Sequence, residues 1–168
     1  MTQDQERNLD AVDKVDMGIL HLLQQDARDN TTSEIGEEVG VSSSTVGNRI
    51  NKLEEQGIIT SYQPTLDYEK VGFDQHLLIL GTVPLKEIES MADQILEVSG
   101  VVAVRELLTN EQNLTIELVG ANRGRIKEIL HELSSIGIHI DDMKMMNQER
   151  NRPFNGYGEP FVSCEKFE

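Results

Sequence analysis

One cysteine, Cys164, stands in 168 residues. It excludes an intrachain disulfide, and alone it cannot build a thiolate-rich zinc site. Long apolar runs are missing too, since none is longer than Leu77 to Leu80, far short of the roughly 20 residues that span a bilayer. Nothing resembles a signal peptide. A soluble, cytoplasmic protein without membrane contact is the expectation. No nucleophile motif and no phosphate-cradling glycine loop occurs, so the chain is not expected to be an enzyme, and no cofactor is expected.

Positive charge is scarce. Thirty acids face fifteen bases, only seven of them lysine, for a formal net charge of −15 spread over the whole length. Such a chain repels nucleic acid in dilute salt. A dispersed acid excess keeps a surface hydrated in concentrated salt, which points to a salty cytoplasm of halophilic-archaeal type. The alternative is an ordinary acidic protein that binds other proteins.

The length suits two small domains. Residues 1–11 are polar and unpatterned, a frayed lead-in. Val12, Val15, Ile19, Leu22 and Leu23 then recur at helical spacing and predict a helix from about Asp13 to Gln25. Thr31-Thr32-Ser33-Glu34 reads as a capping box that starts a second helix, stopped at Gly40. After the turn Gly40-Val41-Ser42, Ser42 caps a third helix to about Gln56, with Val46, Ile50 and Leu53 inward. Ile58 to Thr60 and Tyr62 to Leu66 are expected to be two short strands of a wing. The predicted boundaries are a winged helix-turn-helix over 1–66, a connector over 67–75, a second domain over 76–147 and an irregular tail over 148–168.

The second domain reads as strand (His76 to Val83), helix (Leu85 to Val98), strand (Val101 to Leu108), strand (Asn113 to Val119), helix (Arg123 to Ser135) and strand (Ile138 to Met146). That order, βαββαβ, predicts a ferredoxin-like antiparallel sheet with both helices on one face, an α+β fold. Leu114, Ile116 and Leu118 alternate with Thr115, Glu117 and Val119, as a one-sided sheet requires. In the tail, Phe154, Tyr157, Phe161 and Phe167 are candidates to dock on the body or on a partner.

Two helices joined by a short glycine-containing turn form a helix-turn-helix, whose second helix enters the major groove. The window Ser43 to Lys52 contains no carboxylate, although acids outnumber bases twofold overall. Hydroxyls and backbone donors at a helix start hold phosphate oxygens, while arginine and asparagine bond base edges. The expected DNA contacts are Thr31, Ser42, Ser43, Ser44, Thr45, Asn48, Arg49, Asn51 and Lys52, with Arg49, Thr45 and Ser44 touching DNA directly. Glu54 and Glu55 mark where the helix leaves the groove.

The run from Val15 to Ile59, with its stretch VGVSSSTVGNRINKLEEQGII, resembles the winged helix-turn-helix of the Lrp/AsnC (leucine-responsive, feast/famine) regulators. There a similar VGLS-x-S-TV-x-R-R-I-x-x-LE-x-x-G-I stretch spans the turn and recognition helix. The resemblance continues more loosely to about residue 147. It implies transcription regulation on double-stranded DNA, a homodimer or higher even-numbered oligomer paired through the sheet domain, and a small-metabolite effector at that interface. Val101, Val102, Ala103, Val104, Leu107 and Met145 are candidates for the pairing surface. The family commonly has a G-x-x-D pattern between the second and third strands. Here the matching stretch is Asn110-Glu111-Gln112-Asn113, so the effector site implied is Thr109, Asn110, Glu111, Gln112 and Asn113. Asn110 is expected to take the left-handed conformation. Asn113 brings no charge, which predicts that no standard amino acid binds tightly.

Other chemistry is thin. His21, His76, His131 and His139 lack ligand spacing, His139 with Asp141 and Asp142 lies on alternating faces of one strand, and no metal site is expected. Met143, Met145 and Met146 read as core or interface packing. Two further readings stay open. One is a siroheme-decarboxylase-like enzyme of the same architecture, which would need cations such as Arg105, Arg123 and Arg125 for a porphyrin's carboxylates. The other is an oligomerisation module that does not bind DNA.

Overall fold

The structure, a computed structural model, describes residues 12–150 together with Arg152, Gly158, Phe161 and Val162. The lead-in over 1–11 and, in the tail, Phe154, Tyr157, Cys164 and Phe167 lie outside the described residues. The described residues form two compact units, one of residues 12–64 with Arg150, Arg152, Gly158, Phe161 and Val162, the other of residues 65–149.

The first unit is built on α1 (Lys14–Gln25), α2 (Thr32–Val39) and α3 (Ser43–Glu55). Each start is capped by its own sequence. Asp13 and Asp16 form a capping box on α1, Thr31 and Glu34 form one on α2, and the Ser42 hydroxyl accepts from the Thr45 N–H on α3. Such caps satisfy backbone donors a helix start leaves open, at about 1 kcal/mol each. Gly40, at φ 76°, ends α2 in the left-handed region where a side chain would be strained. Ile19, Leu22, Ile35 and Val46 form the buried centre, with Val15, Leu23, Val39, Val41, Ile50 and Val162 packed around it.

The expected wing strands do not form. Residues 58–67 have no regular pairing, and the reason is local: only Ser61 separates the two runs, whereas the tightest hairpins need two loop residues. Pro64 also lacks a ladder donor. Residues 58–63 instead line a groove of about 500 Å³ shared with Leu20, Leu23, Gln24 and Ala27. Within the connector, Glu69–Val71 make one 3-10 turn.

The second unit runs β1 (Gln75–Thr82), α4 (Ile88–Leu96), β2 (Val101–Glu106), β3 (Leu114–Gly120), α5 (Arg123–Ile136) and β4 (His139–Met145). The sheet order is β2-β3-β1-β4 with every neighbouring pair antiparallel. Period-two alternation does the sorting. Leu77 and Ile79 of β1 and Leu114, Ile116 and Leu118 of β3 meet Met91 and Ile95 of α4 and Ile126, Ile129 and Leu133 of α5. On the opposite face, buried Glu117 of β3 lies 2.9 Å from His76 Nε2 of β1 and 3.2 Å from both terminal nitrogens of Arg105 on β2. Of the two packing roles expected for the methionines of the final strand, the core is not the one Met143 and Met145 fill. Met143 and Met145 are 47% and 61% exposed, because β4 is an edge strand.

Candidate nucleic-acid interface

Helical periodicity puts Ser44, Asn48, Asn51, Lys52 and Glu55 on one exposed stripe of α3, opposite buried Val46 and Leu53. The stripe is free of carboxylate over its first two turns. Hydroxyls crowd its N-terminal end. Ser42 Oγ lies 3.0 Å from Ser44 Oγ and 2.8 Å from Thr45 Oγ1, and Ser43 Oγ lies 2.8 Å from Thr32 Oγ1 at the start of α2. The N-termini of α2 and α3 are thereby tied side by side with polar groups exposed. Thr31 and Ser42 are engaged as caps, and Thr31 also donates to Glu34 at 2.7 Å.

Arg49 is occupied differently from the base-reading role expected of it. Its Nη1 lies 2.6 Å from Asp13 Oδ2 and 2.8 Å from Asp16 Oδ1, both on the start of α1. The Asp16 side chain is 8% exposed. A carboxylate that deep is tolerable only when paired, so Arg49 fastens α3 to α1 instead of pointing along the stripe. Asp13 is held below the usual carboxylate range, chiefly by the backbone N–H of Asp16, against a smaller opposing effect of desolvation, and with help from Arg49. At the far end, Tyr62 donates to Glu54 at 2.9 Å, and desolvation together with that carboxylate pushes the phenol up to about 12.

The loop proposed from sequence as an effector site is tied by most of its hydrogen bonds to Thr82 and Val83 at the end of the first strand. Asn113 is fully buried, accepting from Val83 N–H at 2.9 Å and donating to Val83 C=O at 2.8 Å. Gln112 N–H donates to Thr82 Oγ1 at 2.7 Å, and Thr109 Oγ1 donates to the Glu111 carbonyl at 2.9 Å. The left-handed residue is Gln112, at φ 51°, and not Asn110 as expected. Asn110 and Glu111 are exposed, and Leu108 projects fully into solvent. Among the described residues no group of three or more His, Cys, Asp or Glu is placed to hold a metal ion.

Residues 12–60 match the winged helix-turn-helix DNA-binding family. Over 125 residues the chain is 30% identical to the HTH-type transcriptional regulator LysM of Sulfurisphaera tokodaii, covering 74% of this chain and 86% of LysM. It belongs to the Lrp/AsnC family. A second relative is the HTH-type transcriptional regulator Ptr1 of Methanocaldococcus jannaschii, 31% identical over 91 residues, which span 54% of this chain and 61% of Ptr1. The fold is that of E. coli AsnC, with a TM-score of 0.63 at 21% identity, covering 83% of this chain and 93% of AsnC. It is also that of B. subtilis LrpC, with a TM-score of 0.67 at 18% identity, covering 83% of this chain and 97% of LrpC.

As a member of the Lrp/AsnC family the chain is a DNA-binding transcription regulator, and its helix-turn-helix carries a feature that sequence reading overlooked. The signal was present: Asp13 and Asp16 stand three apart at a helix start, and Arg49 sits at the edge of the apolar face of α3 rather than opposite it. The Glu117 cluster was missed because His76, Arg105 and Glu117 are far apart in sequence and meet only through sheet register. Of the tail aromatics expected to dock, Phe161 is described and lies against Lys14; the neighbouring Val162 was not anticipated. Lys14 Nζ lies 5.8 Å above the Phe161 ring, and Val162 packs on the helix-turn-helix core.

Proposed function

We propose that this chain is a sequence-specific DNA-binding repressor or activator that presents Ser43, Ser44, Thr45, Asn48, Asn51 and Lys52 to the major groove and works in a cytoplasm of high salt. The observation that carries it is the exposed stripe on α3, free of acids over its first two turns, in a chain of net charge −15. A contact set of hydroxyls and amides with the single cation Lys52 suits concentrated salt. Six phosphates neutralised by cations would give a salt slope of about −5 to −6, losing roughly 10⁵ in affinity over a tenfold rise in salt. Hydroxyl and amide contacts release few counterions. The expected slope is therefore shallow between about 0.2 and 3 M potassium chloride, measured by fluorescence anisotropy on a duplex that the chain itself selects from a random pool. A slope as steep as about −6 would sink the salt-adapted reading, and selection of no duplex would sink the DNA reading.

Pairing through the sheet domain completes the proposal, since two recognition helices related by a twofold axis match a palindromic site. Val101 to Val104 are half-buried, and Leu107 and Met145 are 39% and 61% exposed, which leaves apolar area for a second copy. Light scattering in molar salt is expected to give at least twice the chain mass of 18.9 kDa. A monomer would count against it.

The effector, in this reading, is not a standard amino acid held by residues 109–113, because Asn113 has no polar atom to spare. Two of the three arginines that the enzymatic alternative would need are already paired with carboxylates. Arg105 is paired with Glu117, and Arg125 lies 2.9 Å from Glu128 and 3.7 Å from Glu132.

A further inference from the structure

α1, α2 and α3 each carry one glycine in their interior, Gly18, Gly36 and Gly47, and a mid-helix glycine is costly because of the backbone freedom it surrenders. Packing accounts for two of them. A Cβ at Gly18 would lie 2.7 Å from Val39 Cγ1 and 3.2 Å from the Phe161 carbonyl oxygen, and a Cβ at Gly36 would lie 2.6 Å from the Val41 carbonyl oxygen. Neither helix could carry a side chain there. Gly47 is different: among the described residues, its chain neighbours and the nearby backbone of α3 apart, no atom stands within 4 Å of the place its Cβ would occupy. Its φ is not in the left-handed region, so backbone geometry does not call for glycine either. The folded chain by itself has room for a better helix former.

The position of Gly47 on α3 says what the room is for. Ser43 and Asn51, four residues to either side, stack above and below it on the same face, and exposed Ser44 and Asn48 adjoin it. The Ser43 hydroxyl meets Thr32 at the first residue of α2, so this flank of α3 faces the α2 N-terminus. In a helix seated in the major groove the central stripe meets base edges, while the flanks meet the groove walls, which are sugar and phosphate. Hydroxyl groups and helix N-termini are partners for phosphate oxygens.

We propose that Gly47 is a contact position, where the sugar–phosphate backbone of one DNA strand packs directly on the α3 main chain between Ser43 and Asn51. The inference rests on the DNA-binding reading and adds to it a residue that acts by lacking a side chain. It sets how deeply α3 enters the groove. A methyl group at this point holds the helix away from the strand, and the hydroxyl contacts around it lengthen together.

The test is Gly47→Ala in the full chain, measured against a duplex that the wild-type chain selects from a random pool. Stability and binding should move in opposite directions. The melting midpoint of the free variant should rise by about 4 °C, the gain in helix propensity being uncompensated by any clash. Affinity should fall about tenfold or more, equally for the selected duplex and for its single-base variants, with the preferred sequence unchanged. Gly47→Gln should weaken binding further. Unchanged affinity overturns the proposal, as does a lowered melting midpoint, which would make the glycine a packing requirement. A loss confined to one base position overturns it too, since the facing group would then be a base. If the wild-type chain selects no duplex, the DNA-binding reading itself falls and takes this inference with it, a result visible before any variant is made.

Discussion

Arg49→Ala should unfold the helix-turn-helix unit more readily before it changes what the unit reads. Removing the guanidinium leaves Asp16, with a side chain 8% exposed, without its cation. Breaking a fully buried pair in this way costs about 3–5 kcal/mol. Arg49 is itself 30% exposed, and water takes over part of its role, so about 2–3 kcal/mol is expected. That is a large fraction of the stability of a small domain. Both contacts are made by the single nitrogen Nη1, so Arg49→Lys should recover part of the loss. The pH dependence has a definite sign. The folded state holds the Asp13 pKa below its ordinary value, so the stability from Asp13 is present above about pH 4 and lost as pH falls through the lowered value. The gap between wild type and Arg49→Ala should therefore narrow in acid. Thermal denaturation from pH 7 down to about pH 3 follows it. Wild-type melting together with relaxed preference at one base would return Arg49 to the role of base reader.

Asn113→Asp should be the most damaging change in the sheet domain, although it restores the residue type common in the family's loop. The amide serves Val83 twice, accepting at 2.9 Å and donating at 2.8 Å, at a site with no solvent exposure. A carboxylate keeps the first bond and turns the second into an oxygen facing a carbonyl oxygen. An ionised group without a cation at that depth costs about 3–5 kcal/mol. Protonation relieves it, because the neutral acid can donate to the Val83 carbonyl. The folded state thus raises this carboxyl's pKa, and the destabilisation is largest at neutral pH and shrinks as pH falls toward about 4. A thermal-shift screen of the twenty amino acids in about 2 M potassium chloride should show no saturable stabilisation in either protein, where a ligand at 100 times its Kd would add about 2.7 kcal/mol. A variant that melts like wild type and gains an amino-acid ligand would reverse both the structural role of Asn113 and the reading of the loop.

Much of the fold was legible along the chain because its causes are local. Caps at Thr31 and Ser42 and the left-handed Gly40 set helix starts and stops through contacts within a few residues. The alternation of β3 sorted its faces without reference to any partner strand. The expected helix Leu85 to Val98 shortened to Ile88–Leu96, since its apolar periodicity says nothing about where turns replace helical bonds at the ends. The wing strands were over-read from β-propensity, which describes a fit to a sheet surface and does not supply the neighbour that makes one.

For the candidate site the division runs between residue type and residue partner. By itself the sequence determined the helix-turn-helix, the hydroxyl-rich and acid-free window on α3, the βαββαβ order and the acid excess, because composition, period and capping act over a few residues. Tertiary structure alone decided that Arg49 serves Asp13 and Asp16, that Asn113 is consumed by Val83, that Glu117 is buried between His76 and Arg105, and that Gly47, unlike Gly18 and Gly36, faces empty space. The polar pairings among these join groups 12 to 41 residues apart, and a polar side chain takes its role from the partner it meets there.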